Sequence, residues 1–140
     1  MIVKTILSLL VLNSASFLLY CSAEIDESMK AVAKMIHDQC VDDSGVDPAV
    51  MDRIFSTKTM EPDEKFKCYL MCGLQQISAM DDDGNVDSEV FIGTMPEEFK
   101  SYAMEVVKKC SDVGGTSPCD KAYNMNVCAQ KVDPNKYVFI

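Results

Sequence analysis

The sequence predicts an all-α protein of six helices stapled by disulfides, and three observations carry that prediction. Apolar residues recur every three or four positions in one segment after another. Helix-start signals, a capping side chain followed by proline, stand before several of these segments. Six cysteines, Cys40, Cys68, Cys72, Cys110, Cys119 and Cys128, remain once an amino-terminal leader is set aside, and an even number in a small chain reads as a disulfide framework. No alternating strand pattern, internal repeat or low-complexity tract competes.

The leader is residues 1–23. It carries one early lysine, Lys4, apolar runs from Thr5 to Leu12 and from Phe17 to Tyr20, and the small-residue ending Cys21-Ser22-Ala23. That is the pattern of a secretory signal cut after Ala23. A membrane span is a poorer reading, because Asn13 and Ser14 interrupt a segment already short for a bilayer. The expected product is one secreted, extracellular domain, residues 24–140, with a formal charge of −10 from 22 acidic residues against the 12 basic ones left without Lys4. So acidic a surface repels phosphate backbones and anionic lipid heads, which argues against nucleic acid and against membrane insertion or surface binding.

Along the chain, Met29, Val32, Ala33, Ile36 and Cys40 form the first helical stripe, which Gly45 closes. Asp47-Pro48 then gives a cap and a proline at the first helical position, with Met51, Ile54 and Phe55 on the apolar face. Pro62, followed by Asp63 and Glu64, opens a third helix whose face runs through Phe66, Leu70, Gly73, Leu74 and Ile77, and the polar loop Asp81 to Asn85 ends it. Asp87 caps a short fourth helix through Gly93. Thr94 to Glu97 has capping-box spacing, with Pro96 in the first turn of a fifth helix that carries Phe99, Tyr102, Ala103, Val106, Val107 and Cys110 and stops at Gly114-Gly115. Ser117-Pro118 starts the sixth, with Cys119, Tyr123, Val127 and Cys128 on its expected buried side. Asp133-Pro134-Asn135 turns the chain into an apolar tail, residues 131–140 overall, ending Tyr137-Val138-Phe139-Ile140.

Cys68 and Cys72 lie four apart on the third helix, point to one face and cannot comfortably bond to each other. Each therefore needs a distant partner, which makes this helix the hub, although spacing alone leaves fifteen pairings formally open. Zinc is a weak alternative, since His37 is the only histidine and no Cys-x-x-Cys pair occurs. No metal and no cofactor is expected.

The cysteine spacing, with gaps of 27, 3, 37, 8 and 8 residues, closely resembles that of the insect odorant-binding proteins in their general six-cysteine form. The three-residue gap and the final eight-residue gap are the specific parts. The resemblance implies six α-helices around an internal apolar cavity, and bridges Cys40–Cys72, Cys68–Cys119 and Cys110–Cys128. It implies a carrier for a small hydrophobic ligand, an odorant, pheromone or related semiochemical, moved through aqueous fluid, in a monomer or weak homodimer with a membrane olfactory receptor as a candidate further partner. The alternative on the same scaffold is a secreted non-sensory protein of venom, saliva or seminal fluid that engages a lipid or another protein.

Helix faces supply the candidate cavity walls: Met51, Ile54 and Phe55, then Leu70 and Leu74, then Phe91, Met104 and Val107, then Tyr123 and Val127. Tyr123 is placed to offer a hydroxyl to a ligand oxygen. The tail adds Val138 and Phe139, which would gain by folding across the cavity mouth. The methionines suit an adaptable cavity, with ordinary helical core as the plainer account.

Two other chemistries fail on the residues. Aligning Gly84 with the sixth position of a calcium loop places Ala79 first and Val90 twelfth, where acidic ligands belong. A hydrolase would need a histidine–carboxylate pair or a Gly-x-Ser-x-Gly elbow, and neither motif occurs, so no catalytic residue and no enzyme is expected. His37 reads as a surface residue on the polar side of the first helix.

Overall fold

The structure, a computed structural model, describes residues 29–138. The expected leader, its cleavage after Ala23, and Phe139 of the tail lie outside the described residues. Two compact units divide between Met35 and Ile36, inside the first helix, and the packing below is that of the second.

Six α-helices and one 3-10 turn make up that architecture among the described residues. Residues 29–44 are helical (α1). The rest are α2 Pro48–Thr57, α3 Glu64–Gln76, α4 Ser88–Thr94, a 3-10 turn Glu97–Phe99, α5 Lys100–Cys110 and α6 Pro118–Val132. Four of the starts carry a side-chain cap. Asp47 accepts a hydrogen bond from Ala49 N ahead of Pro48, Asp63 accepts from Phe66 N, Asp87 accepts from Glu89 N and Val90 N, and Ser117 accepts from Asp120 N ahead of Pro118. These side chains satisfy amide groups that an α-helix leaves without partners in its first turn.

Several local expectations are corrected. Pro62 does not open α3; it precedes the cap, Asp63, whose carboxylate takes the orphan amide of Phe66. Thr94 does not cap the fifth helix but ends the fourth, with its hydroxyl donating back to the Phe91 carbonyl at 3.0 Å. Pro96 instead precedes the 3-10 turn that leads directly into α5. At the far end α5 stops at Cys110, four residues before Gly114. In the first helix Ile36 and Cys40 turn inward, but Met29 and Val32 are exposed.

The bridges are Cys40–Cys72, Cys68–Cys119 and Cys110–Cys128, with Cα–Cα distances of 5.6, 4.6 and 5.7 Å, inside the span a disulfide needs. They tie α1 and α6 to opposite ends of one turn of α3, and α5 to α6. The pairs coincide with those the resemblance implies. Lys67 and Asp120, each next to a cysteine of the α3–α6 bridge, form an ion pair at 2.9 Å, and Lys67 also reaches Glu64 at 2.7 Å. Bridge and ion pair together clamp α3 on α6, the most extensive contact among helices α2 to α6.

Between α3 and α4 the chain makes one tight loop, pinched by a single bridge between Met80 and Val86. The Asp81 carboxylate accepts from Asp83 N, Asn85 N and the Asn85 side chain, at 3.0, 2.7 and 2.8 Å, so its oxygens serve the loop's own amides. Those bonds hold its carboxyl below the ordinary aspartate range. Gly84 sits at φ +77°, where a Cβ would meet the Pro118 backbone at 3.0 Å. Glycine is thus required both by the turn and by the close approach of α6.

Candidate functional site

The interior divides into two apolar clusters rather than one. Cys40, Val46, Met51, Ile54, Phe66 and Tyr69 form the first, from α1, α2 and α3. The second gathers Ala79, Met80, Phe91, Ala103, Val106, Cys110, Ala122, Met125 and Ala129, from the loop after α3 and from α4, α5 and α6. Leu70 packs against both, because α3 is the element that passes between them. No charged or polar residue is fully buried among the described ones, so the interior carries no ionic anchor.

Most of the expected wall residues belong to these clusters. Met51 and Ile54 are core members of the first, and Phe55 and Tyr123 pack on its edge. Phe91 is a core member of the second, with Leu74 and Val107 beside it. Val127 is half-buried and joins neither cluster. Met104 is 53% exposed: the buried face of α5 is set by Ala103, Val106 and Cys110, and Met104 falls beside that stripe rather than in it. On α6 the buried stripe is Ala122, Met125 and Ala129. It is displaced from the large residues first favoured because the small alanines allow the close approach that the bridges enforce.

The tail behaves differently from its apolar composition. Tyr137 folds back, its amide bonding the Asp133 carbonyl at 3.1 Å and its hydroxyl donating to Asn126 Oδ1 at 2.8 Å, and it packs on the second cluster. Val138 is 61% exposed.

Tyrosine hydroxyls supply the polar groups nearest the interior, and sequence reasoning identified only one of the four. Tyr69 Oη lies 2.7 Å from His37 Nδ1, with the rings edge-on at 5.6 Å. His37 is therefore half-buried rather than on the polar surface. It sits three residues before Cys40, and Tyr69 sits three before Cys72, so the α1–α3 bridge brings the two side chains together. The signal was present in that equal offset but needed the pairing to be read. Tyr102 Oη donates to the Ala129 carbonyl at 2.9 Å. Tyr123 Oη points at the Met60 carbonyl, 3.4 Å away, with Lys67 Nζ 5.7 Å from its ring centre, which directs it toward the α2–α3 connection rather than inward. Burial pushes the Tyr69 and Tyr102 hydroxyls up to about 12 and that of Tyr137 higher still. All three stay neutral at any physiological pH.

A surface depression lies elsewhere, lined by Gln75, Asp81, Asp82, Asn85, Asp87 and Glu89 among others. It is a shallow, acidic surface feature at the α3–α4 loop and holds none of the apolar walls. Among the described residues no three His, Cys, Asp or Glu side chains are grouped to hold a metal, and no helix is long and apolar enough to cross a membrane.

The model of the PBP/GOBP family matches residues 22–132. General odorant-binding protein 69a of Drosophila melanogaster is 23% identical over 105 residues, 75% of this chain and 71% of that protein. Odorant-binding protein 10 of Aedes aegypti is 30% identical over 93 residues, 64% of each. Among solved structures, an odorant-binding protein of Locusta migratoria superposes with a TM-score of 0.69 at 28% identity, over 76% of this chain and 83% of its own.

Proposed function

The chain belongs to the PBP/GOBP family, and on that premise we propose that it is a secreted carrier. It binds one small hydrophobic molecule, an odorant, pheromone or related semiochemical, in a cavity between the two apolar clusters, and moves it through aqueous fluid. The observation that carries this reading is the divided, uncharged interior. A domain of this size ordinarily packs a single contiguous core, whereas here two clusters share Leu70 of α3 and no ionic side chain is buried with them. Such an interior favours a ligand by apolar burial and shape rather than by charge. Three bridges fix the walls independently of how much core is packed, which leaves room for a guest without loss of the fold. The family's fold and the names of the matched relatives support the same reading.

The test is displacement of a fluorescent apolar probe from the oxidised protein by a panel of volatiles and fatty acids. Saturable one-site binding, ranked by chain length and shape, is expected. Failure of the correctly bridged protein to bind any probe saturably would refute the carrier and leave the interior a filled core.

A further inference from the structure

We propose that Gly73 keeps room for a guest on the inner face of α3 and so sets how bulky that guest can be. The inference rests on the carrier reading and adds a size-determining residue to it. Gly73 lies inside α3, Glu64–Gln76, where glycine is the poorest helix former after proline because its backbone has the most freedom to lose. Such a glycine is accounted for when a left-handed backbone or a close neighbour demands it, and neither holds here. Positive φ falls at Gly45 and Gly84. Close neighbours crowd Gly84 and Gly115, where a Cβ would come within 2.9 and 2.5 Å of other atoms. At Gly73 a Cβ would meet nothing within 4 Å beyond its chain neighbours and the backbone of its own helix.

The position of that empty space gives it a use. Gly73 follows Leu70 by three residues and Tyr69 by four, and precedes Ile77 by four, so it shares a stripe with them and with Phe66. Phe66 and Tyr69 are buried in the first cluster, Ile77 packs against the second, and Leu70 packs against both. This stripe is therefore the face of α3 that passes between the clusters, and Gly73 is its one position without a side chain. Open space also adjoins Gly93 and Gly114, but those two are exposed, whereas Gly73 is half-buried on an apolar face. Alanine at Gly73 would strengthen the helix and clash with nothing, so helix stability and packing both favour a side chain there. Only the space itself is served by glycine. Its walls on α3 are apolar, so what it restricts in a guest is girth rather than charge.

The experiment compares the oxidised parent with Gly73→Ala and Gly73→Leu by thermal unfolding and by competition of 1-decanol and borneol against a bound fluorescent apolar probe. These are alcohols of equal carbon count, one slender and one globular. Gly73→Ala is expected to unfold about 3 °C or more above the parent. Gly73→Leu, with folding checked by circular dichroism, is expected to weaken borneol relative to decanol by about tenfold or more, because the added side chain fills the space a globular guest needs. Should the leucine variant fail to fold, the same ratio is read in Gly73→Ala, where a change of about twofold or more is expected. An alanine variant less stable than the parent would show the site already packed. An unchanged borneol-to-decanol ratio would show that no guest uses the space. Either result overturns the inference while saturable probe binding by the parent keeps the carrier reading intact. Absence of saturable binding by the parent refutes the carrier reading and this inference with it.

Discussion

Replacing both Cys68 and Cys119 with alanine removes the bond between α3 and α6, and its cost can be worked from the structure. The bridge closes a sequence separation of 51 residues, for which the chain-entropy relation gives about 4 kcal/mol at 25 °C. This pair gives the cleanest reading of the three. Both of its cysteines are only half-buried, whereas Cys40 and Cys110 are fully buried, so alanine there also leaves a packing defect. The Lys67–Asp120 ion pair and the Phe66–Tyr69 stack, with ring centres 6.0 Å apart, remain in place. The native contact therefore survives, and the loss falls on the denatured state, which expands when the crosslink goes. Guanidinium denaturation followed by circular dichroism, with the other two bridges verified by mass, should show stability reduced by about 3 to 4 kcal/mol and a steeper denaturant dependence. A loss under about 1 kcal/mol with an unchanged slope would refute the entropic account of this bridge.

Three further outcomes follow from local geometry. At Gly115 a Cβ would sit 2.5 Å from Lys121 N and 2.8 Å from the Asp120 carbonyl carbon, so Gly115→Ala should push back the first turn of α6 and cost about 1 to 3 kcal/mol in thermal or chemical denaturation; a neutral effect would mean the loop moves aside. Burial raises the Tyr69 and Tyr102 hydroxyls to about 12 and that of Tyr137 further, so the tyrosinate absorbance of these three should be missing at pH 10 and develop only as the protein approaches or passes pH 12. Because a raised acid pKa favours the neutral form in the fold, stability is whole below about pH 10 and declines from there through about 12, Tyr69 alone accounting for roughly 2 to 3 kcal/mol. A native absorbance step centred at pH 10 with the amplitude of every tyrosine in the chain would contradict this. Asp120, bonded by the Thr116 hydroxyl and by Lys67, is held down to about 2. A lowered carboxyl contributes stability above its unfolded value near 4, lost as pH falls from there toward 2. Asp120→Asn should therefore flatten the acid limb in that window, and an acid limb identical to that of the parent would show that the pair contributes nothing.

The sequence by itself determined the helices, because the period of Phe66, Leu70 and Leu74 or of Ala103, Val106 and Cys110, together with caps at Asp47, Asp87 and Ser117, are local properties of the chain. It also determined that Cys68 and Cys72 must reach different partners, since their spacing is fixed by the helix they share. What it left open is what depends on neighbours brought from far away. Thr94 and Pro96 satisfy a capping pattern on paper, yet the Phe91 carbonyl one turn back claims the threonine hydroxyl. Met104 fits the helical period as well as its neighbours do, but the rotation of α5 that buries Ala103 leaves it in water. His37 looks polar and peripheral until the Cys40–Cys72 bond lays α1 along α3 and presents it to Tyr69. The tyrosine hydroxyls around the interior have the same origin. Each finds its partner across 11 to 63 residues, and only packing decides which groups meet. Periodicity specifies which residues face inward, but the rotation and approach of each helix, set by the bridges and by small residues such as Ala122 and Ala129, specify what they face.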